Sequence, residues 1–244
     1  MAHVSVHEEL SFDDPVLVEG LPGVGLVGKI AADHLVETLD MDYYASCHCD
    51  GIARVAIYQD DERAIRPPVR IYADAERDLL ALQSDIPVSP QAAPEFATCL
   101  VGWFEENGVL PVCLSGLGEE KDGVPEMYAI GTGRGEETLA DLDIAPPREN
   151  GMVSGPTGAL LAEAGEQGVD SVGLVVQANP QFPDPEAARV LLSEGIEPIA
   201  DVSVDTEQLV EQAEQVAEAR EQLAKQMQQA DEESSQAQPL GMYQ

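Results

Sequence analysis

The sequence predicts an α/β fold in which a largely buried sheet lies between helices. Three features predict it. Short apolar runs of strand length alternate with longer amphipathic segments. Proline opens and glycine closes such a segment, as at Pro90 and Gly108. A glycine-rich loop joins the first clear strand to the first clear helix.

Taken in order, residues 15–19 read as a strand and 24–39 as a helix. Residues 43–48, 55–58, 69–73 and 79–83 read as further strands. The segment 90–107 carries Phe96, Leu100, Trp103 and Phe104 at helical spacing. Residues 110–114 form another buried strand, followed by a short one at 128–130. A helix over 157–166, a strand over 171–177 and a helix over 185–194 continue the alternation, with Gly168 and Gly195 as helix stops. This assigns residues 1–204 to one α/β core domain, 205–230 to a long C-terminal helix and 231–244 to a flexible polar tail.

The chain has 244 residues, with 46 acidic side chains against 12 basic ones, a net charge of −34. Its hydrophobic content of 44% is that of a globular protein, so the charge does not signal disorder. The pattern resembles proteins of halophiles that accumulate salt, in which carboxylates hydrate the surface and molar salt screens their repulsion. Nucleic acid and anionic membranes are excluded as partners, because neither finds a basic patch. No apolar stretch is long enough for a membrane span and the first residues lack a signal-peptide layout, so a cytoplasmic protein is expected. Cys47, Cys49, Cys99 and Cys113 lack a repeated metal-ligand spacing and read as reduced thiols, so no metal is expected.

The glycine loop matches two nucleotide motifs incompletely. Gly23, Gly25 and Gly28 spell the dinucleotide fingerprint, but the second strand does not end on the acid that a ribose needs. Gly23, Gly28 and Lys29 spell most of a P-loop, but Ile30 stands where a hydroxyl should hold magnesium. The physical reading is that the glycines let the helix pack tightly on the sheet. The alternative is an anion or small-molecule loop built from Gly20, Gly23, Gly25, Gly28 and Lys29, with the turn of Gly116 to Gly118 beside it. A third class, an enzyme, would draw on His34, His48, Asp74 and Asp85, whose spacing suggests no nucleophile and base. No catalytic residue and no cofactor are expected.

At this loop a family resemblance enters. Val18-Glu19-Gly20-Leu21-Pro22-Gly23-Val24-Gly25-Leu26-Val27-Gly28-Lys29-Ile30-Ala31-Ala32 resembles the signature of the proteasome assembly chaperone family, in its archaeal and haloarchaeal form. Pro67-Pro68-Val69-Arg70-Ile71-Tyr72 and Leu79-Leu80-Ala81-Leu82-Gln83-Ser84-Asp85-Ile86-Pro87 are similar to its central strand pair. The segment 151–161, with Gly155 and Gly158, and Asp184-Pro185-Glu186-Ala187-Ala188 are similar to its later helix starts. The resemblance implies a three-layer α/β/α sandwich like that of the nucleoside phosphorylases, without their catalytic residues. It also implies a homo-oligomer and a proteasome partner.

The C-terminal segment is read on its own residues. From the N-cap Asp205, a helix to about residue 230 places Leu209, Ala213, Val216, Arg220, Leu223, Met227 and Ala230 at alternating four and three spacing. The apolar members Leu209, Val216, Leu223 and Met227 make a narrow seam suited to self-association, and a helix packed on its own domain is the rival reading. The chain then closes on Met242, Tyr243 and Gln244. Roughly one chain in a hundred would end on a hydrophobic residue, tyrosine and any residue by chance, so the ending is weak by itself. Joined to the family resemblance, it is similar to the C-terminal motif by which proteasome activators and some assembly chaperones enter pockets between α-ring subunits. That resemblance implies docking of Tyr243 in a pocket, apolar contact by Met242 and pairing of the Gln244 carboxylate with a pocket lysine.

Overall fold

The computed structural model describes residues 3–49, 52–58, 63–119, 123–217 and 219. In chain order the strands are β1 (His3–Val6), β2 (Val16–Gly20), β3 (Asp42–His48), β4 (Ile57–Tyr58), β5 (Ile65–Arg66), β6 (Val69–Asp74), β7 (Leu79–Ser84), β8 (Leu110–Gly118), β9 (Met127–Thr132) and β10 (Ser171–Ala178). The helices are α1 (Val27–Thr38), α2 (Ala93–Asn107), α3 (Arg134–Asp141), α4 (Gly155–Gln167), α5 (Pro185–Val190) and α6 (Glu197–Ala200). A further helix, α7, begins at residue 207.

The runs that are apolar at consecutive positions become the parallel centre of an eight-stranded sheet, because both of their faces must be covered. Its strand order is β1-β3-β6-β7-β2-β8-β10-β9. Strands β7, β2, β8 and β10 are mutually parallel. Antiparallel pairs β6–β7, β3–β6 and β1–β3 extend one side, and β9 closes the other. Strands β4 and β5 form a separate small hairpin.

Strand side chains alternate between faces, and the two cores follow that alternation. Val18, Leu79, Ala81, Val112 and Leu114 point to one core, where α1 contributes Val27, Ala31 and Leu35 at helical spacing. Leu17, Leu80, Leu82 and Cys113 point to the other, where α2 and α4 contribute Phe96, Leu100, Phe104, Leu160 and Ala164. Helices therefore cover both faces of the sheet. Phe96, Leu100 and Phe104 are essentially fully buried, which is worth about 2–3 kcal/mol for each side chain.

Several boundaries differ from the sequence reading, each for a local reason. Strand β1 has only four residues and takes its pairing from β3, so its own pattern is too short to announce it. Helix α3 buries only Gly135 and Leu139, which leaves little apolar periodicity to see. Its start is fixed from afar by Asp170, which accepts from the backbone N–H of Arg134 at 2.8 Å. Gly195 does not stop a helix. The backbone runs on from α5 through a π-helical segment, Leu191–Ile196, into α6, and ends at Asp201 in the left-handed conformation. Gly195 is small because a Cβ there would lie 2.4 Å from Leu174 Cδ1. Gly108 and Gly168 do end α2 and α4, at φ of 63° and 72°.

The core also continues past residue 204. Val204 and Leu209 both belong to the α1-side core, and Leu209 is 1% exposed. The first position of the expected C-terminal seam is thus buried within its own chain.

Candidate functional site

Strand β2 delivers the chain to the carboxyl end of the parallel strands, where the glycine loop turns into α1. Open α/β sheets bind their ligands outside this end of the strands. Two glycines of the region, Gly20 and Gly116, are required by close approach. A Cβ on Gly20 would lie 2.3 Å from Ala32 Cβ and 2.8 Å from the Leu82 carbonyl oxygen, so α1 could not settle on β2. A Cβ on Gly116 would lie 2.4 Å from the Val24 carbonyl oxygen. A Cβ on Gly28 would lie 3.3 Å from Leu114 Cβ, a tight contact that asks the first turn of α1 to shift by a few tenths of an ångström rather than forbidding a side chain. Gly25 is required by conformation, with φ of 63°. Gly23 meets neither demand, since its φ is −141° and no atom lies within 4 Å of an added Cβ.

The turn before α1 carries two left-handed residues in succession, Gly25 and Leu26, the latter at φ 52° and ψ 23°. Leucine there costs on the order of 1 kcal/mol or more. Val24 and Leu26 nonetheless keep 41% and 37% of their surface exposed. The loop spends backbone strain to present apolar side chains rather than to bury them.

Lys29, the lysine of the incomplete P-loop pattern, is directed at carboxylates. Its Nζ lies 2.8 Å from Asp33 and 3.4 Å from Asp85. Asp85 also accepts from Arg70 at 2.5 Å, and Asp33 accepts from Gln83 at 3.0 Å. Burial holds the Asp33 carboxyl above its ordinary range, against the pull of Lys29. The charge beside the loop is already balanced by acids, which opposes the capture of a phosphate.

The residue that sequence reasoning passed over is Glu19. It lies on β2 with its side chain toward α4, and it is 1% exposed. One carboxyl oxygen accepts from the Leu21 N–H and the other from the Leu114 N–H, each at 3.0 Å. Thr157, in the first turn of α4, places its hydroxyl 3.2 and 3.3 Å from the two oxygens. Burial raises the pKa from 4.5 to about 8, and the hydrogen bonds from Leu114, Leu21 and Thr157 hold it from rising further. In the acid form Glu19 can donate to Thr157 while still accepting from both backbone amides. It ties β2, β8 and α4 together beneath the glycine loop. The available signal was a single charge inside Val16-Leu17-Val18-Glu19-Gly20, a strand otherwise apolar.

A crevice of about 590 Å³ opens at the same end of the strands, lined among others by Ser115, Leu117, Tyr128, Arg148 and Asn150. Its arginine is paired with Glu126 at 2.9 Å. The four residues considered for catalysis do not meet there. His34 bonds the Asp205 carbonyl at 2.6 Å, beside the start of α7. His48 lines a different cavity and stacks near His3, with ring centroids 5.1 Å apart. Asp74 pairs with Arg77 and accepts from the turn amides of Glu76 and Arg77, while Asp85 belongs to the Lys29 network. Among the described residues, no group of histidine, cysteine, aspartate and glutamate forms a metal-holding cluster. No helix among them is long and apolar enough to cross a membrane.

At the start of α7 the Val210 N–H bonds the Thr206 carbonyl, so Thr206 rather than Asp205 holds the N-cap position, and Asp205, one residue before it, accepts from the Glu207 N–H at 2.9 Å. Leu209 is buried and Val216 half-buried. Leu223, Met227, Met242, Tyr243 and Gln244 lie outside the described residues.

Fold and loop define a class: a mixed α/β domain with helices on both sheet faces and a sterically tight strand–loop–helix junction whose lysine is already neutralised. The PAC2 family model matches residues 17–224. The chain belongs to the PAC2 family, in agreement with the proteasome assembly chaperone resemblance of its sequence. An uncharacterized protein of Methanocaldococcus jannaschii is 31% identical over 208 residues, covering 84% of this chain and 83% of the relative. Among solved structures, Pyrococcus furiosus PbaA, described as an archaeal homolog of proteasome-assembly chaperone, matches with a TM-score of 0.78 and 26% identity, covering 95% of this chain and all of its own. Pyrococcus furiosus PbaB, described as an archaeal proteasome activator, shares the fold with a TM-score of 0.76 and 24% identity, over 91% of this chain and 98% of its own.

Proposed function

We propose that this protein is a non-enzymatic chaperone or adaptor of the proteasome core particle, docking on the α-ring through Met242, Tyr243 and Gln244. The observation that carries the reading is the likeness to PbaA, which extends over 95% of this chain within a shared family. The C-terminal tripeptide adds a chemically specific contact at the end of a polar stretch. The ring of Tyr243 supplies buried apolar area with a polar tip, and the terminal carboxylate supplies an ion pair formed in contact. In molar salt the contact must do this work, because long-range attraction is screened within about 3 Å. One tripeptide binds weakly. Several carried on a cytoplasmic homo-oligomer gain avidity, with α7 and the segment after it as the tether. The neutralised Lys29 and the scattered His34, His48, Asp74 and Asp85 support a carrier body rather than a reaction centre.

The test is capture of purified core particle in molar KCl by the intact protein, by a chain ending at Leu240 and by a Tyr243→Ala variant. Capture by the intact chain and loss in both altered chains is expected. Equal capture by all three would move docking to the α/β body, and no capture by any would remove the core particle as a partner.

A further inference from the structure

A cavity at the outer end of β3 belongs neither to the glycine loop nor to the tail. It holds about 670 Å³ and is open to solvent. His3 of β1 and His48 of β3 face each other across the antiparallel register, and both line it, with ring centroids 5.1 Å apart. Arg54, between β3 and β4, lines it too. Ile52, Val55 and Pro68 add apolar wall. None of the described residues that line this cavity is acidic, in a chain with 46 acidic side chains against 12 basic ones.

Other cations of the protein meet carboxylates. Lys29 lies 2.8 Å from Asp33, Arg134 2.6 Å from Asp170 and Arg148 2.9 Å from Glu126. Among the described residues no carboxylate pairs with Arg54. Its charge bears instead on His48. Partial burial, together with His3 and His7 from β1 and with Arg54, holds the His48 imidazole below its ordinary range. Groups that carry or can take positive charge thus converge on one cavity, and an anion placed among them relieves their mutual repulsion. The apolar wall narrows the choice of anion. A bare inorganic ion would leave Ile52, Val55 and Pro68 against water, whereas an anion with an apolar body covers them.

We propose that this cavity binds a small organic carboxylate, whose anionic end meets His3, His48 and Arg54 and whose apolar body rests on Ile52, Val55 and Pro68. The guanidinium and the charged imidazoles donate to the carboxylate oxygens. A bound carboxylate favours the charged form of His48, so binding takes up a proton and strengthens as pH falls through the histidine range. The site is separate from the glycine loop, where Lys29 is already neutralised. It is independent of the proteasome reading.

The experiment titrates the native full-length protein with benzoate, with its neutral isostere benzamide and with inorganic phosphate. Molar KCl screens unspecific attraction between charges. The imidazole proton resonances of the four histidines report on the site. Benzoate is expected to shift the His3 and His48 signals saturably and to leave that of His34, which is bonded to the Asp205 carbonyl, in place. Benzamide and phosphate should each bind at least about tenfold more weakly, and benzoate should bind more tightly at pH 6 than at pH 8. Arg54→Ala should weaken benzoate about tenfold, whereas Arg148→Ala, outside the cavity, should not. No saturable shift with benzoate, or binding of benzamide or phosphate as tight as that of benzoate, would overturn the proposal. So would an unchanged affinity in Arg54→Ala. Titration of the unaltered chain keeps the outcome decisive even if a variant does not fold.

Discussion

The centre of the sheet and its β1–β3 edge are held by different kinds of contact. Around β2 the chain is enclosed: Gly20 leaves no room for one methyl group beside Ala32, and Glu19 has all of its partners inside the protein. At the edge, His7 Nε2 lies 2.7 Å from Ser46 Oγ and 3.1 Å from the Tyr43 hydroxyl. Arg66 sits 5.0 Å from the Tyr43 ring centroid and donates to the Tyr72 hydroxyl at 2.9 Å. These edge groups are polar, and most are reached by solvent, so water can replace much of what any one of them supplies. Volume governs the centre. Exchangeable polar contacts govern the edge, which leaves its side chains freer to change.

The largest expected effect breaks the centre by size alone. Gly20→Val should cost about 4 kcal/mol or more, or abolish folding, because its branches enter Ala32 and the Leu82 carbonyl. Thermal unfolding in molar KCl reads this directly, and a loss under about 1 kcal/mol would contradict the steric account.

The next effect separates charge from size. The folded chain holds the Glu19 proton to about pH 8, whereas a carboxyl at the ordinary 4.5 has already released it. The contribution is full below pH 4.5 and is lost as pH rises through 8, with stability falling by about 1.4 kcal/mol per pH unit at most. Denaturant titrations at pH 5 and pH 8 should show this slope in the wild type and a flatter one in Glu19→Gln. Equal slopes would mean that the carboxyl is not the group responsible.

At the edge, Arg66→Ala should cost about 1–2 kcal/mol, since it removes a partly exposed stacking contact on Tyr43 and a hydrogen bond to the Tyr72 hydroxyl that water can partly replace. The smallest change is expected inside the glycine loop itself. Gly23→Ala should stay within about 0.5 kcal/mol of wild type or gain slightly, because its backbone is extended and its surroundings are open. A large loss there would give the loop a demand on Gly23 that packing does not reveal.

Much of the centre could be read from residues because its elements satisfy simple rules. Leu79 to Gln83 and Leu110 to Leu114 are apolar at nearly every position, and Phe96, Leu100 and Phe104 repeat at helical spacing. Features decided by distant partners could not be read this way. Strand β1 depends on β3, the start of α3 depends on Asp170, and Gly195 depends on Leu174 rather than on helix termination. The same holds within the site. The fingerprint glycines were visible, but Lys29 could be known as neutralised only once Asp85, 56 positions away, was brought beside it. Glu19 was in plain view as one acid in an apolar strand, and its meaning came from Leu114 and Thr157.

The π-helical segment Leu191–Ile196 sets the angular phase of the backbone that follows it. A π turn holds one residue more than the α turn that it replaces. Deleting a single residue there would restore ordinary α-helical pitch and leave the backbone that follows in nearly the same angular phase, because the extra residue is absorbed within one turn. Ile199, Ala200 and Val202, which rest against the α1-side core, would keep their face, whereas removing a residue from α5, where no wide turn absorbs it, would rotate them by about 100° about the helix axis. The segment therefore takes up a one-residue change in chain length without turning the C-terminal extension away from the domain.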